Sequence, residues 1–265
     1  MIKQNKTKIL QLTDLHLERN VLNDDFGQFN HLLYNKVADI IVLTGDINNG
    51  IAAIHLIKAL IKAEYKVIYV LGNGEFYHFD IHELIEKWRI IASTLDNFYF
   101  LEGNSVIIND IEFFGSCLWT SVGTNSSAEL VSKMNIESLS NVHKFNVTKN
   151  FNCEKMKNMH FNSIEKLKTL INNSLLKKKV ALSHYLPSFK SVDPRYLHSN
   201  INNIFASNID PFFFSEQAGI QFWFHGHTHS KVKYSINNTT IICNPYGRQD
   251  DNNLHYDLNE GIIEL

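Results

Sequence analysis

Disulfide chemistry has little to work with in this chain. Its 265 residues include three cysteines, Cys117, Cys153 and Cys243, an odd number spread far apart. That spacing suits reduced thiols, packed as small hydrophobes in a cytoplasmic protein, better than a covalent framework. An excess of one charge is also missing: 25 basic residues face 27 acidic ones, for a net charge of -2. Such a chain has no basic stripe to attract nucleic acid or an anionic membrane. No segment approaches the ~20 consecutive apolar residues of a membrane span. The opening Met1-Ile2-Lys3-Gln4-Asn5-Lys6 passes straight into strand-like residues without an apolar leader. The expectation is a cytoplasmic protein with neither nucleic-acid nor membrane partners. Proline is scarce, four in all, and two of these, Pro187 and Pro194, fall in residues 187–203, which read as a loop. What is plentiful is apolar material, 44% of residues, enough for one large domain covering 1–265.

Aliphatic runs of strand length occupy residues 9–12, 40–43 and 67–71, and each stops at a polar or glycine-bearing motif. Between the second and third runs, residues 51–64 carry apolar side chains at helical spacing, including Ile54, Ile57 and Ile61. Strands joined by helical crossovers are parallel, and such sheets gather ligands at the carboxyl ends of their strands. From residue 98 the strands become short and closely spaced, at 98–101, 106–108 and 111–115, which predicts a second sheet. A polar stretch over 121–150 follows, with a short helix expected at 128–137 and a long amphipathic one at 154–175. Further strands are expected at 179–182, 222–224, 232–235 and 240–243. The order predicts an α/β protein with two sheets flanked by helices.

Five short motifs punctuate this framework: Asp14-Leu15-His16, Gly45-Asp46, Gly72-Asn73-Gly74-Glu75, Ser183-His184 and Gly226-His227-Thr228-His229. Alternate residues after a strand project to one side, so Asp14 and His16 can offer one oxygen and one nitrogen to a divalent ion. Taken singly, Asp-x-His reads equally as a turn aspartate with a surface histidine, and Gly-Asp is an ordinary turn sequence. Asn73 is more telling, because a neutral side-chain oxygen suits an ion that already carries anionic ligands. A purely structural reason for Gly-His-Thr-His is hard to find. All five together, in this order, point to a metal centre.

The series resembles the calcineurin-like metallophosphoesterases, whose pattern is D-x-H, G-D, G-N-H-[DE], H and G-H-x-H, and it spans residues 14 to 229. The resemblance implies a four-layer αββα sandwich of two mixed β-sheets flanked by helices. It also implies two divalent ions, Mn²⁺ first, with Fe or Zn²⁺ as alternatives. One ion would be held by Asp14, His16, Asp46 and His229, the other by Asp46, Asn73, His184 and His227, with Asp46 the bridge. Two ions ~3.5 Å apart lower the pKa of a bridging water to give hydroxide and stabilise an in-line displacement at phosphorus. The segments Leu118-Trp119-Thr120 and Asn244-Pro245-Tyr246-Gly247 resemble a bacterial branch of the family.

Gly74 departs from that pattern. The family residue there is a histidine that protonates the leaving oxygen, a contribution typically worth ~10²–10⁴ in rate. The run Asp46-Ile47-Asn48-Asn49-Gly50 also lacks the acidic residue and arginine of the Ser/Thr phosphatase branch, which argues against a phosphoprotein substrate. Three explanations stand for Gly74. The substrate is one whose leaving group needs no proton, a phosphodiester or phosphoanhydride. Alternatively His78 or His225 serves as a surrogate acid, His225 also reading as a residue behind the metal ligands, and the protein is a phosphomonoesterase. Or Gly74 is an introduced change that leaves a metal-loaded, phosphate-binding protein with little turnover. The partner expected in each case is a small phosphorylated or nucleotide-like molecule, with Tyr185, Lys190, Arg195, Tyr196, His198 and Arg248 as further residues able to reach it.

Overall fold

The computed structural model describes residues 6–20, 27–123, 152–248, 251 and 256–265, without the side chains of 27–30. Two mixed sheets face each other. The first runs in the order β11-β1-β2-β3-β4, from strands Lys8–Leu12 (β1), Ile40–Thr44 (β2), Lys66–Val70 (β3), Phe98–Phe100 (β4) and Ile262–Glu264 (β11). β1 to β4 are parallel, and β11 closes the edge antiparallel to β1. The second runs β5-β6-β7-β8-β10-β9, from Asn104–Ile108, Ile111–Gly115, Lys178–Leu182, Ile220–Phe224, Val232–Ile236 and Thr239–Cys243, with β9 preceding β10 in the chain. Its centre, β6, β7, β8 and β10, is parallel, with antiparallel hairpins at both edges.

Alternation along each strand builds the layers. Ile40, Val42, Ile68 and Val70 of the first sheet pack on Phe113, Val180, Leu182 and Phe224 of the second, filling the space between the sheets. The opposite faces carry Ile41, Leu43, Val67 and Tyr69 on one sheet and Phe114, Ala181 and Trp223 on the other, covered by helices. Strands buried on both faces therefore read as unbroken apolar runs rather than alternating ones. The covering helices are α1 (Gly27–Tyr34), α2 (Ile54–Lys62), α3 (Ile81–Ser93) and α4 (Cys153–Asn173). α3 buries Ile81, Leu84, Ile85 and Trp88, one stripe at 3.6-residue spacing, and Asp80 caps it by accepting from the amides of His82 and Glu83. The four-layer αββα order expected from the sequence is present.

Several boundaries differ from expectation. Residues 98–101 were expected in the second sheet, yet β4 pairs with β3 in the first; sheet membership depends on a distant partner that spacing does not encode. The helix expected over 51–64 begins at Ile54, because residues 49–52 turn first, with the Ala52 amide bonded to the Asn49 carbonyl. α1, α3 and β11 add elements that the strand-by-strand pattern had not suggested. The helix expected at 128–137 lies outside the described residues. Residues 187–203 form a loop carrying 3-10 turns at Phe189–Ser191 and Pro194–Tyr196, with a third at Asn202–Ile204 spanning its end. The three cysteines are free and buried, as their spacing suggested. Among the described residues, no helix is long and apolar enough to cross a membrane.

Candidate metal centre

Every motif leaves the carboxyl end of a parallel strand: Asp14 after β1, Asp46 after β2, Asn73 after β3, His184 after β7, and His227 with His229 after β8. The two sheets thus deliver their ligand-type side chains to a common edge. Loop hydrogen bonds lock them together. The His16 amide donates to the Asp46 carbonyl at 2.9 Å, the Gly226 amide to the His184 carbonyl at 3.0 Å, and the His227 amide to Asp14 Oδ1 at 3.0 Å. Glu75 ties the first sheet's loops. It accepts from the amides of Asp46, Ile47 and Gly72 at 3.0, 2.7 and 2.7 Å and from the Tyr69 hydroxyl at 2.7 Å. The backbone is unusual here, because Asp14, His16, Asp46, His227 and His229 all have positive φ, between 44° and 70°. Asp and His tolerate that region better than bulkier side chains. Gly226 has a steric role: a Cβ there would meet Asp14 Oδ2 at 2.7 Å.

Asp14, His16, Asp46 and His229 place one donor atom each within 4.8 Å of one another. The hydrogen bonds around them fix tautomers that favour a cation. His16 Nδ1 faces Glu18 Oε1 at 3.2 Å and His229 Nδ1 faces Asp251, so both rings carry their proton on Nδ1. Their bare Nε2 atoms then oppose each other at 3.0 Å, a pairing of lone pairs that needs a cation or proton between them. The second group shows the same shortage of donors. His184 donates Nδ1–H to the Thr44 carbonyl at 2.9 Å, leaving Nε2 toward Asn73 Oδ1 at 3.1 Å and Asp46 Oδ1 at 3.4 Å. Asn73 turns its amide nitrogen to the Tyr77 hydroxyl, so its oxygen is the atom pointing inward. His227 Nε2 is buried without a hydrogen-bond partner among the described residues, in a ring packed between Tyr185 and Phe205. An orphaned, buried imidazole nitrogen of this kind fits a cation.

The electrostatics follow from the same contacts. Burial alone would raise the Asp46 carboxyl, but His184, His16 and His227 and the Gly74 amide hold it well below the usual carboxylate range. Burial, helped by His184, holds His227 neutral, the form in which it can ligate.

Of the residues proposed as leaving-group acids, His78 is exposed at the rim of the adjoining cavity and Gly74 lies against Asp46. Of the two readings of His225, a surrogate acid or a residue behind the metal ligands, its position is at odds with the first. It is fully buried, its Nδ1 donates to the Gly226 carbonyl at 2.9 Å and its Nε2 meets Ser191 Oγ at 2.9 Å. Burial lowers it to about 4, so at neutral pH it is the uncharged imidazole, with its Nδ1–H already engaged, and it has no face on the cavity. Gly74 itself does more than omit a side chain. Its amide donates to Asp46 Oδ1 at 2.6 Å, and a Cβ would stand 2.9 Å from that oxygen.

A cavity of about 720 Å³ opens over the cluster. Asp46, Asn73, His227 and His229 form its floor; Trp119, Met156, Tyr185, Leu186, Ile204 and Phe205 form an apolar wall; Arg19, Arg195 and Arg248 stand among the polar residues. Tyr185 and Arg195, flagged by their place after His184, reach it, and so does Tyr196. Trp119 belongs to the Leu118-Trp119-Thr120 segment that the sequence picks out, whereas Met156 and Phe205, from segments far apart in the chain, carry no sequence signal. Glu18 was readable two residues beyond His16, whereas Asp251 was not.

A catalytic metal-dependent phosphoesterase is the class that this sandwich and its edge cluster define. Residues 7–231 match the family model of the calcineurin-like phosphoesterases, and the chain belongs to that family, whose members use a dinuclear metal centre. It is 24% identical over 266 residues to an uncharacterized protein, L509, of Acanthamoeba polyphaga mimivirus, covering 91% of each. Phosphopantetheinyl hydrolase (PptH) from Mycobacterium tuberculosis shares the fold, with a TM-score of 0.68 at 12% identity over 98% of this chain and 96% of that one. So does TT1561 of Thermus thermophilus, with a TM-score of 0.52 at 11% identity over 92% and 90%.

Proposed function

We propose that the protein hydrolyses a small phosphodiester or phosphoanhydride, nucleotide-like in size, at a centre of two divalent ions. Asp14, His16, Asp46 and His229 would hold one ion, and Asp46, Asn73, His184 and His227 the other, with the two oxygens of Asp46 facing the two groups. Bound there, the ions supply Lewis acidity toward a phosphoryl oxygen and acidify a water. Mn²⁺ is the first choice, since imidazole, carboxylate and amide donors together do not select against it.

The chain's own residues set what the reaction can accept. Glu75 holds the Asp46 and Gly72 loops so that the ligands need not reorganise. Trp119, Tyr185 and Phe205 bury an apolar or planar group next to the floor, so the substrate extends beyond one phosphate. With Gly74 beside Asp46 and His225 sealed off, no imidazole of the motif loops is positioned to protonate a leaving oxygen. The observation that carries the reading is this one: an acceptor-rich floor with glycine at position 74, beneath a cavity of about 720 Å³. His78 at the rim keeps one alternative in view, a phosphomonoesterase with a surrogate acid.

The test is a panel of bis-aryl phosphodiester, aryl phosphomonoester and dinucleoside polyphosphate with Mn²⁺-loaded protein, and Asp46→Asn as the blank. Turnover of the diester or anhydride well above the monoester is expected, and the blank should be inert. Monoester turnover that leads the panel and vanishes in His78→Ala would favour the alternative, and equal rates for parent and blank would reject this site as the catalyst.

A further inference from the structure

Among the described residues, three guanidinium groups reach the cavity, and their partners differ. Arg195 is committed: its Nε and Nη2 bond both oxygens of Asp193 at 3.0 Å, a fork already filled. Arg19 is largely exposed and leans on Glu18, with Nε 3.8 Å from Oε1. Arg248 is half-buried, and its Nε is buried with no hydrogen-bond partner among the described residues. A guanidinium stays charged at any physiological pH, and a buried N–H left unpaired is a standing penalty unless something polar arrives.

Arg248 is also held in place from below. Its amide donates to Asp251 Oδ2 at 2.6 Å, and the same carboxylate receives His229 Nδ1–H, so Asp251 ties the Arg248 backbone to one candidate ligand. Arg248 therefore lines the cavity beside its His229 end, among the polar residues.

We infer that Arg248 binds the departing phosphate of a phosphoanhydride substrate, supplying positive charge where Gly74 supplies no proton. The inference rests on the hydrolase reading above and narrows it to the anhydride. In the reaction, the oxygen of water forms the new P–O bond and the bridging P–O bond breaks. The electron pair stays on the leaving phosphate, and the proton of water passes to solvent. A phosphate leaves as a stable anion, so a fixed cation can stabilise it without proton transfer. An alkoxide leaving group would gain much less, because it needs the proton itself.

Arg248→Gln and Arg248→Lys are compared with the parent, each loaded with Mn²⁺, by calorimetric titration with imidodiphosphate and with orthophosphate. Turnover of bis(4-nitrophenyl) phosphate is measured alongside. Loss of the fork is expected to weaken imidodiphosphate binding by roughly 10–100-fold, with orthophosphate affinity changing by less than about 3-fold. Arg248→Lys should recover part of the loss, keeping charge without the paired donors. Equal weakening of both ligands would overturn the assignment to the leaving phosphate. So would unchanged imidodiphosphate affinity in Arg248→Gln while the parent still turns over the diester. If the metal-loaded parent hydrolyses no ester or anhydride, the hydrolase reading fails instead. Should Arg248→Gln not fold, the lysine variant alone decides: parental imidodiphosphate affinity overturns the inference, and a selective loss supports it.

Discussion

Placing a histidine at position 74 sets two opposed effects against each other, and their sizes follow from the packing. Gly74 opens the 3-10 turn Gly74–Phe76 and is not among the positive-φ glycines, so its backbone is open to other residues. Removing glycine from such a position favours the fold by about 0.4–1 kcal/mol through the unfolded chain. Against this, a Cβ would meet Asp46 Oδ1, Cγ and Oδ2 at 2.9, 3.1 and 3.3 Å, all inside the 3.4 Å at which ordinary contact begins. Overpacking of that degree costs about 1–3 kcal/mol. Gly74→Ala should therefore destabilise by about 1 kcal/mol and disturb the Asp46 carboxylate. Gly74→His carries the same crowding and adds an imidazole worth ~10²–10⁴ on leaving groups that need a proton, equivalent to about 3–5 kcal/mol of barrier. The informative quantity is the ratio of kcat/KM for Gly74→His to that for Gly74→Ala, in Mn²⁺, on a 4-nitrophenyl and on an alkyl phosphodiester. It should lie within a few-fold of one for the first and rise to about 10² or more for the second. The same ratio for both leaving groups would refute the argument that this chain lacks a leaving-group acid.

Other consequences are open to simpler measurements. Glu75→Gln turns an amide NH₂ toward donors that a carboxylate now accepts, so urea unfolding should show a loss of about 3–5 kcal/mol; a loss below about 1 kcal/mol would mean that the loops are held by other contacts. Asp251→Ala removes the acceptor behind His229, and chelator competition should report metal affinity weaker by about 10–100-fold; parental affinity would exclude Asp251 from that role. His160, buried in α4 with Nδ1 donating to the Leu118 carbonyl at 2.9 Å, has its pKa lowered by burial. Below the unfolded value of about 6.5 the unfolded chain takes up the extra proton, so the stability His160 contributes is present above that pH and lost beneath it, by at most about 1.4 kcal/mol per unit. In chelator, the fall in stability between pH 7.5 and 5.5 should be shallower for His160→Gln than for the parent, and identical slopes would contradict the assignment.

What could be read from the sequence was what is local. A strand, the turn after it and the ligand in that turn lie within a few residues, so Asp14, Asp46, Asn73, His184, His227 and His229 were all placeable at strand ends from the sequence alone. Sheet membership was not, and β4 went to the wrong sheet because its partner β3 is fixed by burial across the domain. The cavity wall was hidden for the same reason: Trp119, Met156 and Phe205 meet only after the second sheet and its flanking helix have assembled. His225 looked available because it adjoins a ligand motif, while the serine that occupies it, Ser191, sits 34 residues earlier. Gly74 showed as an absence in the sequence; the Asp46 oxygen pressed against its amide shows only in space.

The left-handed backbone at Asp14, His16, Asp46, His227 and His229 restricts how this centre can be varied by mutation. Each such residue raises the energy of the folded chain by about 1 kcal/mol or more, together on the order of 5 kcal/mol, a sizeable share of a domain's stability. Aspartate, asparagine and histidine bear that conformation best, so exchanges among them should leave the loops intact and change only the donor set. Glutamate or cysteine, although able to bind metals, would add a conformational penalty to any mismatch in reach. A library intended to retune metal preference should therefore be confined to those three residue types at these five positions, with wider diversity reserved for Asn73 and His184, which are not among the positive-φ residues.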